Sequence, residues 1–114
     1  MIKNFKVRFL KEASEFIDSI DEKAREKIIY NIRKAQVIND KSLFKKLSGE
    51  TWEFRTLFNK TYYRLFAFWD KIDRTDTFVI STHGIIKKTD KTPKKEIEKA
   101  ERLRLKYFEQ KKYR

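Results

Sequence analysis

Residues 51–69 consist of two segments of alternating side chains, rich in aromatic residues, on either side of Asn59-Lys60. An alternation with a period of two is typical of a β-strand that buries one face. Two such segments joined by a two-residue turn predict a β-hairpin. A third strand, expected from Thr77 to Ile85 after a polar turn at residues 70–74, extends the hairpin to an antiparallel meander of three strands.

The segments before and after this meander predict one further strand and three helices. Residues 5–9 alternate as a short strand, whereas the apolar side chains of residues 11–20 and of the segment after Asp21 recur at helical spacing. Asp21 is the expected N-cap of the second helix, which pairs with the first as a hairpin. Near the C-terminus, Thr92 is the expected N-cap of a third helix and Pro93 its first residue. The 114 residues suit one domain, residues 1–114, of the α+β class.

The chain is strongly basic, with 29 Lys and Arg against 17 Asp and Glu and a formal net charge of +12. A surplus of this size repels itself and favours a polyanionic partner. Most of it follows the last predicted strand, in residues 87–114. Charge alone leaves open whether the partner is RNA, DNA, a membrane surface or an acidic protein.

The composition also narrows the cellular setting and the chemistry. Cysteine is absent and histidine occurs once, so neither disulfides nor a zinc site of the usual kind is expected. The N-terminal residues are too polar for a signal peptide, and no apolar run reaches the ~20 residues that span a bilayer. We expect a cytoplasmic protein that has no contact with a membrane and binds neither a metal nor a small-molecule cofactor.

Four basic residues are candidates for binding phosphate. Arg55 and Arg64 lie within the aromatic strands, and an arginine in such a strand must be paired or solvated. For Arg55, a structural ion pair with Glu53 is as good an interpretation as a functional one. For Arg64 we favour phosphate recognition, because a planar guanidinium suits that ligand. Lys87 and Lys88 follow the third strand, which can hold them in place; a solvated surface is the alternative.

His83 is the only histidine of the chain. Its unperturbed pKa lies near neutrality, so it is a candidate general acid or base. A buried structural histidine is an equally good interpretation at this stage.

Four spaced motifs resemble the phage-derived branch of the RelE/HigB toxin family. In chain order they are Trp52-Glu53-Phe54-Arg55, Tyr63-Arg64-Leu65, the segment from Thr82 to Lys88, and Lys91-Thr92-Pro93 with Glu96 and Ala100. One departure is Ile85, where the family commonly has an aromatic residue; we interpret it as a change in packing. The resemblance implies a RelE-like fold: an N-terminal strand and helical hairpin packed on an antiparallel sheet of three further strands, followed by a C-terminal helix.

The resemblance also implies an activity and partners. The expected activity is metal-independent cleavage of mRNA on the ribosome, blocked by an antitoxin protein that usually has a helix-turn-helix fold. In such cleavage the ribose 2′-hydroxyl attacks the neighbouring phosphate, cations stabilise the phosphorane, and acid–base groups transfer two protons. The expected catalytic residues are Arg64 and Lys87, which stabilise charge, and His83, which transfers a proton. The expected substrate-binding residues are Arg55, Lys88, Lys46 and Tyr62. For Tyr107, a C-terminal aromatic, core packing is a better interpretation than catalysis.

Three other functions remain open at this stage. A ParE-like relative with the same fold poisons gyrase instead of cutting mRNA. A basic module that binds RNA or the ribosome without catalysis has the same charge. An antitoxin-like DNA binder is less well supported, because the aromatic sheet supplies no recognition helix.

Overall fold

The computed structural model describes residues 3–72 and 75–112. In this part of the chain, five strands form one sheet in the order β1-β5-β4-β3-β2. The strands are β1 Lys6–Phe9, β2 Phe44–Ser48, β3 Thr51–Phe58, β4 Thr61–Asp70 and β5 Phe78–Lys87. The helices are α1 Lys11–Ser19, α2 Glu22–Val37 and α3 Lys94–Lys111. This α+β architecture is compatible with the RelE-like fold.

The predicted hairpin is confirmed as β3 and β4, which pair antiparallel with Phe58 opposite Thr61. Asn59 and Lys60, between them, have φ angles of 51° and 61°. Two successive residues in the left-handed region are the requirement of a type I′ turn, whose twist matches that of the flanking strands. β4 also pairs antiparallel with β5, so the meander is confirmed.

The sheet has one strand more than predicted, and the sequence predicted no partner for its N-terminal strand. Residues 44–48, expected only to lead into the sheet, form an additional strand, β2, antiparallel to β3. Two of its five residues are consecutive lysines, which hides the alternation in so short a segment. In addition, β1 pairs parallel with β5 at the edge of the sheet. Alternation within a strand carries no information about such a distant partner.

The helices cover opposite faces of the sheet. The first face carries the larger core, in which α1 and α2 pack on β3, β4 and β5 through buried residues that include Ala13, Ile17, Ile28, Ile32, Phe54, Leu65 and Val79. On the second face, α3 packs through Tyr107 and Phe108 against Phe68, Phe78 and Ile80. Alternation along β4 places Arg64 on the same face as Phe68, which is the face of α3. Because Tyr107 packs against Phe68 on this face, it has the packing role expected for it.

The helix starts follow the sequence at α2 but not at α3. Asp21 caps α2 as predicted, because its carboxylate accepts hydrogen bonds from the backbone of Lys23 and Ala24. At α3 the N-cap is Pro93 and no side chain caps the helix. Thr92 was expected there, but its hydroxyl is engaged by other groups, described below. Asp73 and Arg74 of the predicted turn lie outside the described residues. None of the helices in the described ranges is long and apolar enough to cross a membrane.

Candidate functional site

Strand register brings the predicted basic residues together on the α3 face. Arg55 of β3 is directly opposite Arg64 of β4. In the next row towards the β3–β4 turn, Tyr62 is opposite Lys87 of β5. Directly opposite residues have their side chains on the same side of a sheet, close enough to interact. Arg55, Arg64 and Lys87, called here the cationic cluster, therefore share one face of the sheet.

Two arginines opposite each other repel, and a carboxylate beside the cationic cluster offsets this repulsion. Oε1 of Glu53 lies 3.3 Å from Nε of Arg55 and 3.3 Å from Nε of Arg64. Arg64 and Glu53 are each only 2% exposed. Neither Nε makes a well-directed hydrogen bond, so Glu53 acts on both arginines mainly through its charge. The structural pairing considered for Arg55 is thus present, but Glu53 is shared with Arg64.

A second carboxylate reaches the cluster from outside the sheet. Asp90 lies in residues 88–93, which connect β5 to α3. Its Oδ1 accepts a hydrogen bond from Nη2 of Arg55 at 2.9 Å and another from Nη2 of Arg64. The hydrogen bonds from Arg55 hold the pKa of Asp90 below its ordinary value. Asp90 is therefore ionised at neutral pH and binds both guanidinium groups at once.

Lys87 fixes the connection that carries Asp90. Its Nζ donates to the backbone carbonyl of Asp90 at 3.0 Å and to the hydroxyl of Thr92 at 2.9 Å. The Thr92 hydroxyl in turn donates to Glu53 at 3.2 Å. Burial of Lys87, and then the nearby charge of Arg64, lower the pKa of this lysine. The three cations and two carboxylates therefore form one continuous network with Thr92.

Two other expected substrate-binding residues lie beside the cluster. Tyr62 is half-buried, and the guanidinium carbon of Arg64 lies 5.3 Å from the centre of its ring, within the range of a cation–π interaction. Lys88 is exposed and follows β5 directly. Leu57 is opposite Tyr62 and 56% exposed. The row of Leu57, Tyr62 and Lys87 thus offers apolar and aromatic surface next to the cations.

The structure does not bring His83 into the cluster. His83 lies four residues before Lys87 on β5, roughly 13 Å away at 3.3 Å per residue. Its ring stacks on Phe66, its Nδ1 is 2.9 Å from the hydroxyl of Thr82, and its Nε2 is 3.2 Å from the carboxylate of Glu96. Burial lowers the pKa of His83, although Glu96 raises it in part. These contacts are those of a packed, neutral histidine.

Lys46 also lies apart from the cluster. It is opposite Trp52, next to Glu53 on β3. Because neighbouring residues of a strand point to opposite faces, the side chain of Lys46 lies on the face away from Arg64. A role of Lys46 in substrate binding thus requires an RNA that passes around the edge of the sheet at β2.

Three members of this network were missed in the sequence. Glu53 was considered only as a partner of Arg55, Thr92 only as a helix cap, and Asp90 not at all. The sole signal for Asp90 is an acid in the middle of a lysine-rich segment, Lys87 to Lys95. Within residues 3–72 and 75–112, no three His, Cys, Asp or Glu side chains are arranged to hold a metal ion.

The fold and the site define a basic α+β protein with a cluster of buried cations on one face of its sheet. The model of the family described as Phage derived protein Gp49-like (DUF891) matches residues 15–105. The chain therefore belongs to this family, which is part of the RelE/HigB-like group of toxin-antitoxin toxins. No curated protein matches the sequence.

Proposed function

We propose that this protein is a toxin that cleaves mRNA on the ribosome, inhibits translation and is neutralised by a cognate antitoxin protein. One observation carries the proposal: Arg55 and Arg64 both bind the carboxylate of Asp90, and Lys87 binds the backbone carbonyl of the same residue, at a partly open face of the sheet. Two guanidinium groups that share one anion, with a lysine ammonium group beside them, form an arrangement that can bind a phosphodiester. Membership of a toxin family supplies the second line of support.

The cluster suits the charge that develops during RNA cleavage. As the ribose 2′-oxygen bonds to phosphorus and the bond to the 5′-oxygen breaks, negative charge grows on the non-bridging phosphate oxygens. We assign stabilisation of that charge to Arg64 and Lys87. Their burial lowers the local dielectric and so strengthens each interaction. Arg55 and Lys88 bind the phosphates in this proposal, and Tyr62 offers a ring on which a base can stack.

Cleavage also requires two proton transfers. The 2′-hydroxyl must lose a proton and the 5′-oxygen must gain one. His83 was expected to serve here, and its role stays a prediction, because its ring nitrogens lie against Thr82 and Glu96 and away from the cluster. A contribution from His83 requires its ring to leave Glu96.

The partners and setting follow from the same proposal. A net charge of +12 favours binding to the RNA of the ribosome, with an affinity that falls as salt rises. A partner antitoxin, with a helix-turn-helix fold in the usual case, prevents this encounter. The reaction takes place in the cytoplasm and uses neither a metal nor a small-molecule cofactor.

The test is induction of the protein in bacteria with and without the adjacent small gene, followed by mapping of mRNA 5′ ends. Growth arrest that the neighbouring gene relieves, with new ends at codon-specific positions, is the expected result. Arrest with an SOS response and intact mRNA would identify a gyrase poison instead. An absence of arrest would identify a passive RNA-binding module.

Site variants connect this activity to the cationic cluster. Arg64→Lys keeps the buried charge beside Glu53 but removes the planar fork. We expect Arg64→Lys and Lys87→Gln to remain folded and to lose toxicity. Lys23→Gln, at an exposed position in the first turn of α2, is the matched control for charge and should stay toxic. Folded variants of Arg64 and Lys87 with full toxicity would remove these residues from the site.

A further inference from the structure

We infer that the carboxylate of Asp90 occupies the phosphate position of the free protein, and that RNA binds by displacing it. This inference rests on the proposed function, because it concerns the same site. It adds a built-in competitor: the chain blocks its own cationic cluster until a phosphodiester takes the place of Asp90.

The position of Asp90 is unusual for an acid on a surface connection. Its side chain is 58% exposed, and yet it binds an arginine that is only 2% exposed. Because this carboxylate is exposed on its outer side, water and other anions can reach it. Arg64 gains by contrast, since a buried guanidinium needs an anion. The site therefore needs an anion, while this particular anion is held at the surface and can be exchanged.

The contact geometry matches a phosphodiester. Oδ1 of Asp90 accepts from both guanidinium groups, and Oδ2 lies 3.2 Å from Nη2 of Arg55. A phosphodiester also presents two non-bridging oxygens and one negative charge. Glu53 stays in place, so exchanging the Asp90 carboxylate for a phosphodiester leaves one negative charge replaced by another. The cationic cluster with its two anions then keeps a net charge of plus one. The net charge of the site therefore does not oppose the displacement.

The connection has an anchor that permits this exchange. The hydroxyl of Thr92 donates a hydrogen bond to Glu53, so the start of α3 remains attached to the sheet when Asp90 leaves. The moving part is then limited to residues 88–91, which are all exposed. Its departure also frees Nζ of Lys87 from the carbonyl of Asp90. The same movement thus opens the arginines and releases a third donor for phosphate.

The test is RNA binding by Asp90→Asn, which removes the competing charge and keeps the shape of the side chain. The probe is a fluorescein-labelled, 2′-O-methylated hexauridylate, which cannot be cleaved, measured by fluorescence anisotropy at fixed salt. We expect Asp90→Asn to bind at least tenfold more tightly than wild type. The exposed controls Asp18→Asn on α1 and Glu98→Gln on α3 make the same change in net charge and should bind within twofold of wild type.

The outcomes separate the two proposals. If Arg64→Lys and Lys87→Gln bind the probe as tightly as wild type, the cluster is not the RNA site and the proposed function fails. If these variants bind weakly but Asp90→Asn binds like wild type, the site stands and the displacement model is refuted. An equal gain for Asp90→Asn and both controls would also refute it, since that result reflects net charge alone. Adding Arg64→Lys to Asp90→Asn should abolish the gain.

Discussion

The hydroxyl of Thr92 connects the start of α3 to the cationic cluster, and its removal tests whether this hydroxyl stabilises the protein through Lys87 or independently of it. In Thr92→Val the bond from Lys87 at 2.9 Å and the bond to Glu53 at 3.2 Å are both lost. A hydrogen bond to a charged group contributes about 1.5–3 kcal/mol when buried. Thr92 is half-buried and its bond to Glu53 is long, so we expect a loss of about 2 kcal/mol for the pair.

A loss of this size is readily measured. For a domain of this length, 1 kcal/mol corresponds to about 4 °C in Tm, so Thr92→Val should melt about 8 °C lower. Thr92→Ser should stay close to wild type, because it keeps the hydroxyl. Thr89→Val, an exposed threonine of the same connection, is the matched control. Urea unfolding followed by the fluorescence of Trp52 and Trp69 gives the free energies.

A double-mutant cycle with Lys87→Met decides between the two interpretations. If Thr92 binds Lys87, the two substitutions share one interaction and should show a coupling energy of about 1 kcal/mol or more. If Thr92 stabilises the protein independently of Lys87, the two effects should add. Additive effects, or a Tm of Thr92→Val within 2 °C of wild type, would refute the role assigned to this hydroxyl.

Three further variants test the fold. A Cβ at Gly84 would lie 2.3 Å from Cδ2 of Phe16, so Gly84→Ala should lower the free energy of unfolding in urea by about 1–3 kcal/mol. Adding Phe16→Leu should restore part of this loss. An unchanged urea midpoint would contradict this placement of α1. Lys60→Gly should raise Tm by a few degrees, because glycine suits the φ of 61° in the β3–β4 turn; a lower Tm would argue against a type I′ turn. Burial opposes ionisation of Asp70, but hydrogen bonds from Lys111 and Tyr107 outweigh it and lower the pKa of Asp70. The lowered pKa stabilises the folded state above pH 4, and this stabilisation is lost as the pH falls further. The difference in free energy of unfolding between wild type and Asp70→Asn should therefore shrink towards pH 3. A constant difference would refute this role of Asp70.

The sheet was well predicted where the pattern is local. Alternation around Asn59-Lys60 predicts the hairpin, and once the hairpin register is known, Arg55 and Arg64 must lie opposite each other. The same alternation predicts that Arg64 shares a face with Tyr62. The position of Lys87 opposite Tyr62 follows from the register of the next antiparallel pair, β4 with β5. The core of the candidate site thus follows from strands that are neighbours in the sequence.

What could not be predicted depends on distant contacts. The parallel pairing of β1 with β5 joins segments about 70 residues apart, and no local period records it. The roles of Asp90 and Thr92 depend on where the connection after β5 folds back over the sheet. Burial of His83 under Glu96 requires the position of α3, which the sequence places only as a helix. Each missed feature is a tertiary contact made by a residue whose type allows several roles.

The sharing of Glu53 by two arginines has a consequence for how this protein can change over evolution. Replacing Glu53 alone leaves Arg55 and Arg64 opposed without their buried counterion, and replacing Arg64 alone leaves Glu53 with Arg55 as its one remaining arginine partner. Single steps away from this trio are therefore unfavourable, since each removes one charge partner from a group that is buried. We expect residues 53, 55 and 64 to covary among relatives rather than to change independently.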